Sequence, residues 1–175
     1  MAERMIRIFD VDVDALDYVF DYNAVQTDAL RARSYDNVSL EDLRRIALWK
    51  LDRVVDVSES LLAQLRALAG AEGLTADSEQ SRQVLDALVA CDGVGYPMAS
   101  AFLKFVRPDV YPIIDVRAYR ALTGTRLRYN QYSTDLYLKY VARVAEIARR
   151  CRMPLAAVDE QLYCYDKAHN GSIDA

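Results

Sequence analysis

The sequence predicts an all-α fold, a compact bundle of short helices in two lobes built as a single domain over residues 1–175. Three observations carry this expectation. Apolar residues recur mostly at spacings of three and four, the helical period. The periodic stretches open at capping residues and close at Gly or Pro. Only MIRIF, residues 5–9, has a strand-like run, and one short strand has nothing to pair with.

In chain order, Asp14 caps ALDYVFDYNAV, Ser39 caps LEDLRRIALWKL, Ser58 caps ESLLAQLRALA, and Asp77 or Ser78 caps EQSRQVLDALVA. Ser39 and Asp42 stand at capping-box spacing, with Asp a weaker third partner than Glu or Gln. Later helices run over Tyr96 to Val106, Val116 to Thr123, Thr134 to Cys151 and Pro154 to Ala168, with Pro154 suited to a first turn. Breaks fall at Gly70 and Gly73, at Gly93 and Gly95, at Pro108 and at Gly124. No repeat, linker or heptad seam interrupts this pattern.

A chain of 175 residues, 53% of them hydrophobic, can bury a sizeable core. MAERMIRIFD lacks the apolar run of a signal peptide, and the apolar stretches are too short to span a bilayer, so an intracellular, cytoplasmic protein without membrane contact is expected. Cys91, Cys151 and Cys164 are odd in number and unrelated in spacing, which excludes a disulfide framework and a Cys-x-x-Cys metal site. His169 is the sole histidine and lies near the end of the sequence, which argues against a zinc centre and a Ser/His pair. The net charge of −4 conceals a segregation: residues 93–152 hold 11 Lys and Arg against 4 Asp and Glu, a local +7, which leaves −11 elsewhere. Because salt screens fields beyond about 10 Å, a local basic face is what a phosphate backbone meets. A solvated helix surface rich in arginine is the bland reading of the same charges.

LDALVACDGVGYPMASAFLKF reads as helix, tight turn, helix. Gly93 and Gly95 permit positive φ and leave the amides of residues 93–95 uncovered for a phosphate oxygen. The helix that follows opens at Tyr96-Pro97 and brings free N–H groups and its positive dipole end to the same spot. Ala99, Ser100 and Ala101 let the two helices approach closely. These are the features of a helix-hairpin-helix, which grips one DNA phosphate without reading sequence. A plain helix-loop-helix with a glycine C-cap would share the Gly-x-Gly. Asp115 follows Gly95 by 20 residues, behind the apolar VYPII, at the start of VRAYRAL. A bare N-cap explains such an Asp as well as a functional carboxylate does.

LVACDGVGYPMASAFLKF with PIIDVRAYRAL resembles the helix-hairpin-helix (HhH-GPD) DNA glycosylase superfamily, in which a Pro-Gly-Val/Ile-Gly hairpin is followed after about 20 positions by a catalytic Asp that opens a helix. Asp92 stands where the family has proline. The resemblance implies that Gly93, Val94 and Gly95 bind a backbone phosphate, with Na+ or K+ held on the hairpin carbonyls and no other cofactor. It implies that Asp115 is the catalytic carboxylate and that the partner is double-stranded DNA, bound by a monomer. Members that cut the backbone carry a lysine two residues after the second hairpin glycine, where this chain has Pro97, so a monofunctional enzyme is expected. Lys104, further along the same helix, is a weaker substitute. The four clustered cysteines of iron-sulfur members are missing.

Under this resemblance one carboxylate suffices, because breaking an N-glycosidic bond builds positive charge on the sugar. The target base leaves the stack and is held between aromatic faces. Aromatics cluster at Tyr18 and Tyr22, at Tyr129 and Tyr132, at Tyr163 and Tyr165, and at Trp49-Lys50; Trp49 and Tyr163 are the candidates for the base pocket, and core packing is the competing role for each. Arg117, Arg120, Arg126 and Arg128 are candidate DNA backbone contacts. Two other readings stand beside this one: a non-catalytic helix-hairpin-helix DNA clamp, and a helical protein-interaction module. The base removed, and whether it belongs to repair or to defence against modified viral DNA, are not written in the motifs.

Overall fold

The computed structural model describes residues 6–21, 24–51, 57–91 and 93–173, apart from the side chains of residues 25, 26 and 51. Met5, Tyr22 and Asp92, singled out above, lie outside the described residues. Among those residues the fold is all-helical: α1 (Ala24–Arg31), α2 (Leu40–Leu51), α3 (Glu59–Ala69), α4 (Glu79–Val89), α5 (Tyr96–Val106), α6 (Val116–Thr123), a 3-10 turn at Tyr129–Gln131, α7 (Thr134–Cys151) and α8 (Leu155–Asn170).

The caps start the helices where side-chain chemistry predicts. Ser58 accepts from Leu61 N, Ser78 from Ser81 N, and Ser133 from Leu136 N. At α2 the box is reciprocal: Asp42 N donates to Ser39 Oγ (3.2 Å) while Ser39 N donates to Asp42 Oδ2 (3.0 Å). Gly124 ends α6 at φ 70°, a left-handed conformation that favours glycine.

α5 is the central helix. Every residue from Met98 to Lys104 is buried, the all-round burial expected of a helix with neighbours on several sides. It packs on α2, α3 and α4, while α8 packs on α6 and α7. Fully burying a side chain such as Phe102 or Leu103 contributes about 1.5–3 kcal/mol, so this helix anchors the core.

The first expected helix is a correction. Residues 14–21 form no helix, and the helix in this region begins at Ala24. Tertiary bonds replace the helical ladder: Tyr18 N donates to Gln161 Oε1, Gln161 Nε2 donates to Tyr18 O, and Asp14 takes Tyr165 Oη (2.7 Å) rather than a helix start. Phe20 and Tyr18 pack edge-on to Tyr163 and Tyr165 of α8. The strand-like run has no regular secondary structure over residues 6–9 and is docked on α6 by Phe9 N to Ala121 O (2.6 Å).

Candidate functional site

Ala90, Cys91 and Gly93 to Gly95 of the α4–α5 connection and the start of α6 face one cavity of about 780 Å³. Gly93, Val94 and Gly95 form one wall, Asp115 and Arg117 another, and Trp49, Lys50, Phe20 and Tyr163 close it from α2, the amino-terminal segment and α8. Gly93 sits at φ 73°, the left-handed region, and is solvent-exposed. Val94 instead turns inward and its N–H donates to Cys91 O (3.1 Å). Gly95 is the N-cap of α5, and no side chain caps that end, so the dipole's positive end faces the cavity wall.

Four hydrogen bonds hold the segment that delivers Asp115. Ile113 N donates to Asp159 Oδ2 (3.0 Å), Ile114 N to Ser100 Oγ (3.1 Å), Tyr137 Oη to Pro112 O (2.9 Å) and Tyr140 Oη to Ile113 O (2.8 Å). They come from α8, α5 and α7, so three elements fix one short strap. Asp115 then divides its carboxylate. Oδ1 accepts from Arg117 N (2.8 Å) as the N-cap of α6, and Oδ2 accepts from Lys50 Nζ (3.4 Å). The cap locks the side chain and turns its second oxygen toward Lys50.

Trp49 is buried, donates Nε1 to Thr27 Oγ1 (2.8 Å) and meets Phe105 edge-on, yet also contributes to the cavity wall. Tyr163 is half-buried, with the Arg117 guanidinium 5.9 Å from its ring centre. Core packing and cavity lining are thus one role for Trp49. Below them lies an ionic floor: Lys104 Nζ donates to both oxygens of Asp159 (2.9 Å each) and to Glu160 Oε1 (3.0 Å), and Arg31 donates to Glu160 Oε2. Burial pushes the Asp159 carboxyl above the usual range, against the pull of Lys104. Lys104 is 4% exposed and held by two carboxylates.

The arginines separate into two pairs. Arg120 is a correction: it is 4% exposed, donates Nε and Nη2 to Asp166 (2.8 and 2.7 Å), and braces α6 on α8 instead of meeting DNA. Arg117 joins it on Asp166 (3.1 Å) and on Gly171 O (2.9 Å), so it lines the cavity rather than an outer surface. A buried carboxylate at this junction recruits both guanidinium groups, which sequence spacing could not reveal. Arg126 and Arg128 are exposed in the loop after Gly124. His169 is absorbed in packing, its Nδ1 2.9 Å from Tyr165 O.

Sequence reasoning missed Lys50 as a partner of Asp115. It stands 65 positions away, and no local spacing links them. It also missed Phe20, which an expected helix had placed elsewhere; Tyr129, named among the aromatic clusters but not chosen for the pocket, has its 85% exposed ring over Gly95 at the cavity rim. Among the described residues, no group of three His, Cys, Asp or Glu side chains is placed to hold a metal ion. Cys91 O is taken by the Val94 amide and Asp92 lies outside the described residues, so no role is assigned to a hairpin cation. No helix among the described residues is long and apolar enough to cross a membrane. Comparison with protein-family models, with curated proteins and with solved structures finds no match to this chain.

Proposed function

We propose that this protein is a helix-hairpin-helix DNA glycosylase that removes a damaged or modified base flipped out of double-stranded DNA, acting as a monomer inside the cell. The observation that carries the reading is the convergence on one cavity of an N-cap carboxylate, Asp115, whose second oxygen is turned toward Lys50, and a glycine turn whose helix start lacks a side-chain cap.

In this reading the amides around Gly93 and Gly95 and the start of α5 hold a phosphate beside the target nucleotide. The flipped base enters between the faces of Trp49 and Tyr163, while its sugar lies over Asp115. As the N-glycosidic bond lengthens, positive charge develops at C1′, and the fixed carboxylate stabilises it without reorganising. The four bonds to residues 112–114 supply that fixity. Arg126 and Arg128 reach the flanking backbone.

Asp115→Asn is the test, because Asn keeps an oxygen for the Arg117 amide and so preserves the cap while removing the charge. Duplexes carrying a panel of modified bases, including bulky ones, are incubated and then heated in alkali. Alkali-dependent breaks are expected with the wild type, with the rate falling by on the order of 100- to 1000-fold in Asp115→Asn and DNA affinity unchanged. No break with any base, together with equal DNA binding by both proteins, would instead identify a clamp in which Asp115 is only a cap.

A further inference from the structure

Two opposite charges line the cavity within reach of each other. Lys50, at the end of α2, donates Nζ to Asp115 Oδ2 at 3.4 Å, and the two side chains are only 14% and 22% exposed. The other cation on the wall among the described residues, Arg117, is engaged by Asp166 and by Gly171 O. Asp115 Oδ1 is fixed by the cap on α6, so Oδ2 meets Lys50 from a set position.

Taken alone, this ion pair weakens a glycosylase, because a cation beside Asp115 repels the positive sugar that Asp115 stabilises. The reaction creates two charges, and the second resolves the conflict. As the C1′–N bond breaks, the sugar turns positive while the departing base keeps the electron pair and turns negative. A carboxylate and an ammonium side by side match that separation when the sugar lies over one and the base beside the other. Lys50 follows Trp49 in the chain and α2 presents both to the cavity, so a base against Trp49 lies on the Lys50 side. We propose that Lys50 is the leaving-group catalyst of this site, an ammonium that donates to the departing base while Asp115 holds the sugar. The inference rests on the glycosylase reading and adds a second catalytic residue to it. The acceptors next to the glycosidic bond are O2 of a pyrimidine and N3 of a purine, so the role does not depend on which base is removed.

Atoms and charges balance with water as the sole co-reactant. The C1′–N bond breaks with its electron pair going to the base, and the Lys50 ammonium gives the base a proton. Water adds its oxygen to C1′, and Asp115 takes the proton that the water releases. Asp115 then passes this proton to the Lys50 amine across their contact. That last transfer is favourable, because a carboxylic acid is a stronger acid than an ammonium and the product is a pair of opposite charges in contact. The net reaction is hydrolysis, and the pair is reset for the next turnover.

The sign of one substitution separates this role from its opposite. If Lys50 merely neutralises Asp115, Lys50→Gln frees the carboxylate, and base release is unchanged or faster. With Lys50 acting on the base, Lys50→Gln should slow release by on the order of 100-fold, and Lys50→Arg, which keeps the charge but holds its proton, should fall between. The full chain and both variants are assayed at saturating protein, under single-turnover conditions, on the modified-base duplexes and on counterparts whose released base also carries an electron-withdrawing fluorine. The deficit of each variant should shrink with the fluorinated base, since a base that leaves more readily needs less help. If Lys50→Gln has lost its melting transition, the Lys50→Arg deficit on plain and fluorinated bases decides by the same criterion. Release that is not slowed in the variants, or is slowed equally for both bases, overturns the proposal and leaves the glycosylase reading standing. No base released by the wild type from any duplex overturns both.

Discussion

Tyr132 and Tyr140 both feel the charge of Asp115, and burial pushes both phenols up, yet their hydroxyls are in opposite circumstances. The Tyr140 hydroxyl donates to Ile113 O at 2.8 Å and so helps hold the strap ahead of Asp115. The Tyr132 hydroxyl is buried with no hydrogen-bond partner among the described residues. A satisfied bond is worth about 1 kcal/mol net, while a buried orphan costs about 1–3 kcal/mol. Tyr140→Phe should therefore lower the urea midpoint and slow base release, while Tyr132→Phe should leave the midpoint unchanged or raise it. Paired urea titrations check the contrast, and a loss of stability in Tyr132→Phe would contradict it. At this scale the sequence was legible where a role depends on neighbours in the chain: Asp115 reads as a cap, and Oδ1 is one. Its second oxygen was not legible, because its partner comes from another helix.

The same division governs the elements. α2, α3, α4 and α7 begin where their Ser caps stand, since a Ser hydroxyl satisfies an amide three residues on and needs nothing distant. Residues 14–21 have a helix-like pattern, but Gln161 and Tyr165 of α8 claim their polar groups. α2 matters most among the legible elements because it delivers Trp49 and Lys50 to the cavity. Its box is reinforced by an ion pair from Arg33 to Asp42. Burial works to raise the Asp42 carboxyl, but hydrogen bonds from Ser39 and then Arg33 outweigh it and hold the group below its ordinary value. A carboxylate with a depressed folded-state pKa contributes stability that is fully present above its unfolded value, about 3.9, and is lost as pH falls through the folded value. Asp42→Ala should cost about 1–2 kcal/mol at neutral pH, roughly 2–8 °C in Tm for a chain of this size. The gap between the two melting curves should stay constant down to about pH 5 and narrow below about pH 4. A gap that is independent of pH down to acid unfolding would show that Asp42 acts without its charge.

For the whole molecule, folding redistributes the charge that the sequence segregates. Of the basic residues in 93–152, Lys104 and Arg120 are buried in ion pairs, and Arg117 and Arg107 are half-buried against Asp166 and Asp109. The +7 of that segment is thus partly structural, serving the junctions of α5 and α6 with α8 rather than a surface. What adjoins the cavity rim is smaller and better defined: exposed Arg126 and Arg128, in the loop that leads to Tyr129. If DNA is held chiefly there and at the uncapped start of α5, few counterions are released on binding, and affinity falls gently with salt. Each phosphate contacted by a cation contributes about −0.9 to the slope of log K against log salt. Replacing both Arg126 and Arg128 by Ala should therefore flatten the slope by about 2 and weaken binding to every duplex alike. Fluorescence anisotropy with an unmodified duplex at several salt concentrations measures this. A slope unchanged in the double variant would move the proposed DNA path away from this loop, and with it the proposed placement of a flipped nucleotide over Asp115. A steep wild-type slope that survives the change would place the contacts on the exposed arginines of α7 instead.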